Sequence, residues 1–268
     1  MNTQRLMADI SGGVWAMRES NFRAMSKASF AVSMGGAEVC PIAEVEADGI
    51  LVVHICGTLY RGLGDIGRAF GFIDPDDVRH EIEEYNTPDV AGVLLVVDSP
   101  GGGVGGIADL AKVIRTIAGT KPVFAYAAGL CASGAYWVAS QASAIYASPS
   151  SFTGSIGVYQ AITDTTKQHE MMGERIELFK SGPLKAAGLD GTSLTDEQRA
   201  AIQSKVDSIY YEFSGAVSAS RRVKPEAMTG GDYYGATAKP LGLVDSISDL
   251  NTARADLRKF ADLRRMKG

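Results

Sequence analysis

Between Lys121 and Asp164 no residue carries a charge: the run Pro122–Thr163 contains no Asp, Glu, Lys, Arg or His. A charge-free run of that length has two homes, a bilayer or the dry interior of a globular protein. Its composition decides between them. Residues 123–147 of it are mostly Ala, Gly and Ser, carry polar Gln141, and are too poor in Leu and Ile for a span of about 20 apolar residues. It therefore reads as the buried core of an α/β protein. Near its centre lies Ala132-Ser133-Gly134, a serine with small neighbours, followed by Tyr136-Trp137-Val138.

The rest of the composition narrows the class. A chain of 268 residues with 46% hydrophobic and 21% charged residues suits a globular protein with a sizeable core. A net charge of −5 argues against a nucleic-acid partner. Cys40, Cys56 and Cys131 show neither metal-ligand spacing nor even pairing, which points to a reducing compartment and to no metal site. Cys131 reads as a small buried side chain. No signal peptide is seen at the N-terminus, and a cytoplasmic protein is expected.

Along the chain, residues 1–38 read as an N-terminal arm, with Leu6, Ile10, Val14, Met17 and Phe22 at loose helical spacing interrupted by Gly12-Gly13. Asp48-Gly49 signals a hairpin ahead of the apolar run Ile50–Cys56, with His54 as a core histidine. Residues 62–73 read as a loop. Asp74-Pro75 then caps and opens a helix, with His80 on its charged face. A buried strand over 90–97 runs into Asp98-Ser99-Pro100-Gly101-Gly102-Gly103. A helix carrying Ile107, Leu110, Ala111, Ile114 and Ile117 on one face follows, then a strand from Val123. Strand, helix and strand in that order imply a parallel pair with a right-handed crossover. Beyond the charge-free run come a helix near 163–172, a strand over 176–179 and a long helix over 196–220 with a Thr195/Gln198 capping box. A final helix ends in Arg264-Arg265-Met266-Lys267. No internal repeat or low-complexity linker interrupts the chain. We expect the arm at 1–38, one domain over 39–250 and a C-terminal helix over 251–268.

The glycines admit two chemistries. Gly101-x-Gly103-x-x-Gly106 has the form of a dinucleotide fingerprint, but Pro100 sits at its turn and no acidic residue ends the next strand to hold a ribose. The other chemistry is an oxyanion hole, since backbone N–H groups of glycines approach a reacting carbonyl without a Cβ in the way. Gly102 and the N–H of Gly134 are the candidates, with Ser133 as nucleophile at a helix N-terminus. A lysine can act as its base where burial disfavours the charged form. Lys185, in Ser181-Gly182-Pro183-Leu184-Lys185-Ala186-Ala187-Gly188, has small and apolar neighbours. Lys180 is the rival, and His169, beside Lys167 and Glu170, is a further candidate in surroundings that look solvated.

Taken in order, SPGG, ASGAYWVAS, TGSIGV, KSGPLKAAG and GLVD resemble the signal peptide peptidase A family of Ser/Lys peptidases, over about Ile50 to Asp245. The resemblance implies an α/β fold of the Clp protease and crotonase superfamily, built from repeated ββα units with a parallel sheet, and no cofactor. It implies Ser133 and Lys185 as the dyad, Ser155 of TGSIG as the hydroxyl that orients the lysine, and Gly102 and Gly134 as oxyanion donors. The family's ASGG is ASGA here, with Ala135. The membrane anchor of many cellular members has no counterpart in this sequence, which is more similar to the phage and prophage head-maturation proteases of the family. A polypeptide substrate, a homo-oligomeric ring in which the lysine can come from a neighbouring copy, and work in the host cytoplasm or prohead follow from that likeness. A crotonase-like acyl-CoA enzyme and a non-catalytic ring or scaffold-binding subunit are the readings of other classes. A Ser-His-Asp arrangement of the Clp type would, by resemblance, want a histidine about 25 residues beyond Ser133, and none lies there.

Overall fold

The computed structural model describes residues 13–18, 21 and 41–266. Most of the expected N-terminal arm, Cys40 included, lies outside the described residues. The chain divides into two compact units, a larger one of Ala16–Gly157 and Phe213–Gly268 and a smaller one built mainly from Val158–Glu212.

The strands and helices, in chain order, are β1 (Val14–Met17), β2 (Ala43–Val45), β3 (Ile50–Cys56), β4 (Thr58–Leu59), α1 (Gly64–Ala69), β5 (Phe72–Ile73), α2 (Pro75–Tyr85), β6 (Gly92–Ser99), β7 (Gly101–Gly103), α3 (Ile107–Thr120), β8 (Val123–Ala132), α4 (Gly134–Ala139), β9 (Ala144–Ala147), β10 (Phe152–Gly154), β11 (Tyr159–Gln160), α5 (Thr166–Met171), α6 (Asp196–Ser220), β12 (Asp232–Tyr234), β13 (Ser246–Ile247) and α7 (Leu250–Arg265).

In the larger unit β3, β6 and β8 form a parallel centre, in register from Ile50↔Gly92 and Val93↔Val123. β2 folds back antiparallel onto β3 through the expected hairpin. Gly49 takes φ 76° there, and Asp48 accepts the Ile50 N–H at 3.1 Å. Each long strand then hands the chain to a short strand of a second sheet before a helix begins: β3 to β4, β6 to β7. β4 lies parallel to β5 and to β7, with Leu59 opposite Gly102. This is the repeated ββα architecture expected from the resemblance.

Strand β8 forks. Phe124–Ala127 pairs with β9, while Leu130–Ala132 pairs with β10, which takes β12 antiparallel on its far side. The fork coincides with a bulge against β6, where Val97 faces Ala127 but Ser99 faces Cys131. The Asp98 carboxylate accepts the Leu130 N–H at 2.8 Å, and a side chain at Gly129 would collide with it. A bulge re-aims the strand that contains it, and here it aims the end of β8 at Ser133.

Alternate residues of the three central strands, Ile50, Val52, Leu94, Val96, Phe124 and Tyr126, pack against Ala253, Leu257 and Ala261 of α7. The intervening residues face the other way, toward the side where α2 and α3 bury Val78, Ile82, Ile107, Leu110 and Ile114. Local capping sets the helix starts. Asp74 accepts the Asp76 N–H behind Pro75, and Thr195 and Gln198 exchange hydrogen bonds at 3.0 and 3.2 Å, so both expected caps are present.

Four expectations fail, each for a physical reason. Residues 62–73 are not one loop: they hold α1 and β5, and β5 forms because β4 offers it an edge. Val14–Met17 is a strand rather than a helix, its Val14–Trp15 end paired with β11. Residues 176–179 are not a strand: their alternating pattern has no neighbouring strand, and Phe179 is 91% exposed. His54 is not a core histidine: it is half-buried on β3, beside Glu44, with 23% of its side chain exposed.

The contact of α7 with the sheet generates a test. Leu257→Ala should lower stability by about 2–5 kcal/mol. It should be read as a lower urea midpoint with an unchanged slope.

Candidate active site

Ser133 sits at the junction of β8 and α4, fully buried, with φ 54° and ψ −120°. That backbone region is strained for any residue with a Cβ and costs about 1–3 kcal/mol unless the surroundings hold it. They do so on both sides. The Ser133 N–H donates to the Gly154 carbonyl at 2.7 Å, and the Ser133 carbonyl accepts the Trp137 N–H at 2.9 Å as the first bond of α4. A serine forced into a tight strand-to-helix turn presents its hydroxyl away from both elements, the geometry of a nucleophile elbow. Ser133 Oγ has one contact within the larger unit, a long hydrogen bond of 3.4 Å to the Gly157 carbonyl.

The helix that follows is pinned. Tyr136 is buried and donates its hydroxyl to the Leu243 carbonyl at 2.9 Å. Burial away from water holds its phenol far above the ordinary range. Trp137 stacks on Phe213 with ring centres 4.8 Å apart, and Gln141 bonds the Ala216 carbonyl.

The glycines are where backbone meets backbone. A Cβ on Gly101 would lie 2.7 Å from the Gly134 nitrogen and 2.2 Å from the Ala16 carbonyl oxygen, so β7 passes directly across the start of α4. A Cβ on Gly102 would fall 1.7 Å from the Leu59 carbonyl oxygen, and one on Gly134 would meet Ile107 at 2.4 Å. Gly101–Gly103 is thus a strand of the second sheet and not the turn of a dinucleotide site; Gly106, with φ 80°, is the residue that opens α3.

Ser155 lies just past β10, buried, with φ 52°, its N–H donating to the Gly231 carbonyl at 2.7 Å. Among the described residues the non-glycine positions with positive φ are Ser133, Ser155 and Ala186. Two are candidates from the sequence, and the third adjoins Lys185. Strain of this kind concentrates at functional positions.

Ser133, Gly134, Gly102 and Ser155 belong to the larger unit; Lys185 belongs to the smaller one. Lys185 is exposed, in an irregular segment between α5 and α6, its N–H donating to the Gly182 carbonyl. Its dry surroundings, expected from its small neighbours, are therefore not supplied by that segment. Lys180 is engaged locally, donating Nζ to the Pro183 carbonyl at 3.0 Å.

Two other groups bear on the chemistry. Cys131 is wholly buried and burial pushes its thiol up to about 12, so it is inert at neutral pH. His169 is half-buried between two exposed acids, its side chain 16% exposed, with Nδ1 2.7 Å from Glu174 and Nε2 3.2 Å from Asp190. Nothing local pointed to this, because Asp190 is 21 residues away in sequence. Among the described residues, no helix is long and apolar enough to cross a membrane.

Comparison with known proteins places these features in a family. The model of peptidase family S49 matches residues 116–264, a stretch that includes Ser133, Ser155 and Lys185. The chain is 28% identical over 256 residues to "Protease 4" of Salmonella typhi, covering 93% of this chain and 39% of that protein. It is 34% identical over 224 residues to a Methanocaldococcus jannaschii protein that carries a protease name, covering 80% of this chain and 71% of that one. It is 30% identical over 224 residues to "Capsid assembly protease C" of Escherichia phage lambda, covering 82% of this chain and 51% of that protein. The chain thus spans 39% of the Salmonella relative and about half of the phage one. On the family match and these identities, the chain belongs to peptidase family S49.

Proposed function

We propose that the chain is a serine endopeptidase in which Ser133 is the nucleophile and Lys185 the general base. The observation that carries this reading is the distribution of backbone strain, at Ser133, at Ser155 and beside Lys185. In the proposed reaction Lys185 Nζ accepts the Ser133 hydroxyl proton as Oγ attacks the substrate carbonyl. The N–H groups of Gly134 and Gly102 receive the developing oxyanion, each such donor contributing on the order of 3 kcal/mol in the transition state. Collapse breaks the C–N bond, the lysine returns its proton to the leaving amine, and water hydrolyses the acyl-enzyme by the same route. Ser155 orients the lysine. A base lysine works desolvated, and Lys185 is exposed in the single chain. The reading therefore includes a cover over it, supplied by a neighbouring copy in a homo-oligomeric ring.

For the biological role we favour cleavage of scaffold or capsid polypeptides during phage head maturation, in the host cytoplasm or the prohead. The 30% identity to the phage lambda capsid assembly protease supports it. A cellular protease acting on signal-peptide-like substrates is the second reading, supported by the 28% identity to "Protease 4".

Ser133→Ala should lower kcat/KM for peptide cleavage by about 10⁴-fold or more. Lys185→Ala should lower it by about 10²–10⁴-fold, the usual worth of a general base. Both variants should keep the wild-type circular dichroism spectrum. Cleavage that survives in Lys185→Ala but is lost in Lys180→Ala would transfer the base to Lys180. A serine-directed phosphonate should label Ser133, found by peptide mass mapping, and Cys131→Ala should retain activity. Absence of the label together with an inactive Cys131→Ala would overturn the serine assignment.

A further inference from the structure

Within the smaller unit, the segment that carries Lys185 leaves the end of α5 and returns before α6. Its two ends meet at one imidazole. Nδ1 of His169 lies 2.7 Å from Glu174 Oε2, where the segment departs, and Nε2 lies 3.2 Å from Asp190 Oδ2, where it returns. A neutral imidazole has one N–H and one lone pair, so it can satisfy only one carboxylate; the imidazolium donates to both. The contact is built rather than incidental. The Glu174 N–H donates to the His169 carbonyl at 2.9 Å. Gly191, with φ 77°, brings the returning chain so close that a Cβ there would lie 3.0 Å from the imidazole ring and 2.7 Å from Ile176.

We infer that His169, as an imidazolium shared by Glu174 and Asp190, clasps the 174–190 segment and positions Lys185, and that the clasp loosens when the imidazole loses its proton. The catalytic consequence rests on Lys185 being the base; the clasp itself does not. The charges that act on His169 are those of Glu174 and Asp190, and hydrogen bonds to them raise its pKa. A histidine so shifted contributes its stabilisation in full below its ordinary value of about 6.5 and loses it as pH rises through the raised value.

The foot of the segment does not share this dependence. Asp164 accepts the hydroxyls of Thr166 and Ser193, which hold its carboxyl down at about 2. Asp190 accepts the Thr165 hydroxyl, and that oxygen in turn accepts the Gly191 N–H at 2.8 Å. Those ties persist through neutral pH, so deprotonation loosens the segment by one contact without detaching its ends or unravelling the unit. The longer contact, to Asp190, is the one a neutral His169 gives up, since its proton stays with the closer Glu174.

Hydrogen exchange by mass spectrometry on the full chain, between pH 5.5 and 8.5 and corrected for the intrinsic rate, tests the clasp. Peptides within 172–192 should lose protection severalfold as His169 deprotonates. Peptides in α7 should not change. His169→Gln should show the low protection at every pH, and His169→Arg, permanently charged with a two-pronged donor, should show the high protection at every pH. Glu174→Gln should weaken the step in the wild-type direction, which keeps the test decisive if a His169 variant fails to fold. At pH 6, His169→Gln should lower kcat and the rate of Ser133 labelling by phosphonate together, each severalfold, and His169→Arg should restore both. A flat exchange profile in the wild-type chain, or a pH step that survives in His169→Gln, overturns the clasp whatever Lys185 does. An active Lys185→Ala with the exchange step intact overturns the base and leaves the clasp standing.

Discussion

The strained turn at Ser133 is the constraint on which the larger unit depends. A residue with a Cβ holds φ 54° only if its neighbours over-determine it. Here the Gly154 carbonyl takes its N–H, α4 takes its carbonyl, and α4 is fixed by the Tyr136 hydroxyl and the Trp137 stack. Those contacts require β10 beside the end of β8 and β7 across the start of α4. The fork in β8, the bulge at Asp98 and the side-chain-free strand Gly101–Gly103 are the means by which the sheet provides both. The turn and the sheet therefore explain each other.

The same close approach accounts for the lack of charge over 122–163. Strand β8 is paired along both edges and α4 is buried on every side, with Gly134, Ala135, Tyr136, Trp137, Val138 and Ala139 all enclosed. A charge anywhere in this layer would be taken from water without a partner, at a cost of several kcal/mol. The small residues serve a second purpose, since they let backbone lie on backbone where a larger side chain would hold it off. The smaller unit is organised differently. It buries few apolar side chains, and polar clusters tie it together: Asp164 with Thr166 and Ser193, and His169 with two carboxylates. Such ties respond to pH, where a packed core does not.

The parts of the fold that were legible are those with local causes. Ile50–Cys56 is a run of residues whose β-branched and apolar side chains need burial on both faces, so a central strand follows. Asp74-Pro75 and Thr195/Gln198 satisfy helix N–H groups within three residues, so their caps could be named outright. The short strands of the second sheet could not. Thr58–Leu59 and Phe72–Ile73 are too brief for any period, and Gly101–Gly103 has no side chains to alternate. The strand expected over 176–179 has the right pattern, but pattern does not create a pairing partner.

At the site, residue type and order singled out Ser133, Gly134, Gly102 and Lys185 with its rivals, because acyl transfer wants a hydroxyl, small donors and a base; the family resemblance added Ser155 and chose Lys185. Only the tertiary structure decided that Ser133 and Ser155 are held in strained backbone, that Lys185 lies exposed, and that His169 lies between two acids. The reason is the same in each case. Backbone strain, burial and the pairing of charges far apart in sequence are set by which segments the fold brings together, and no single segment carries that information.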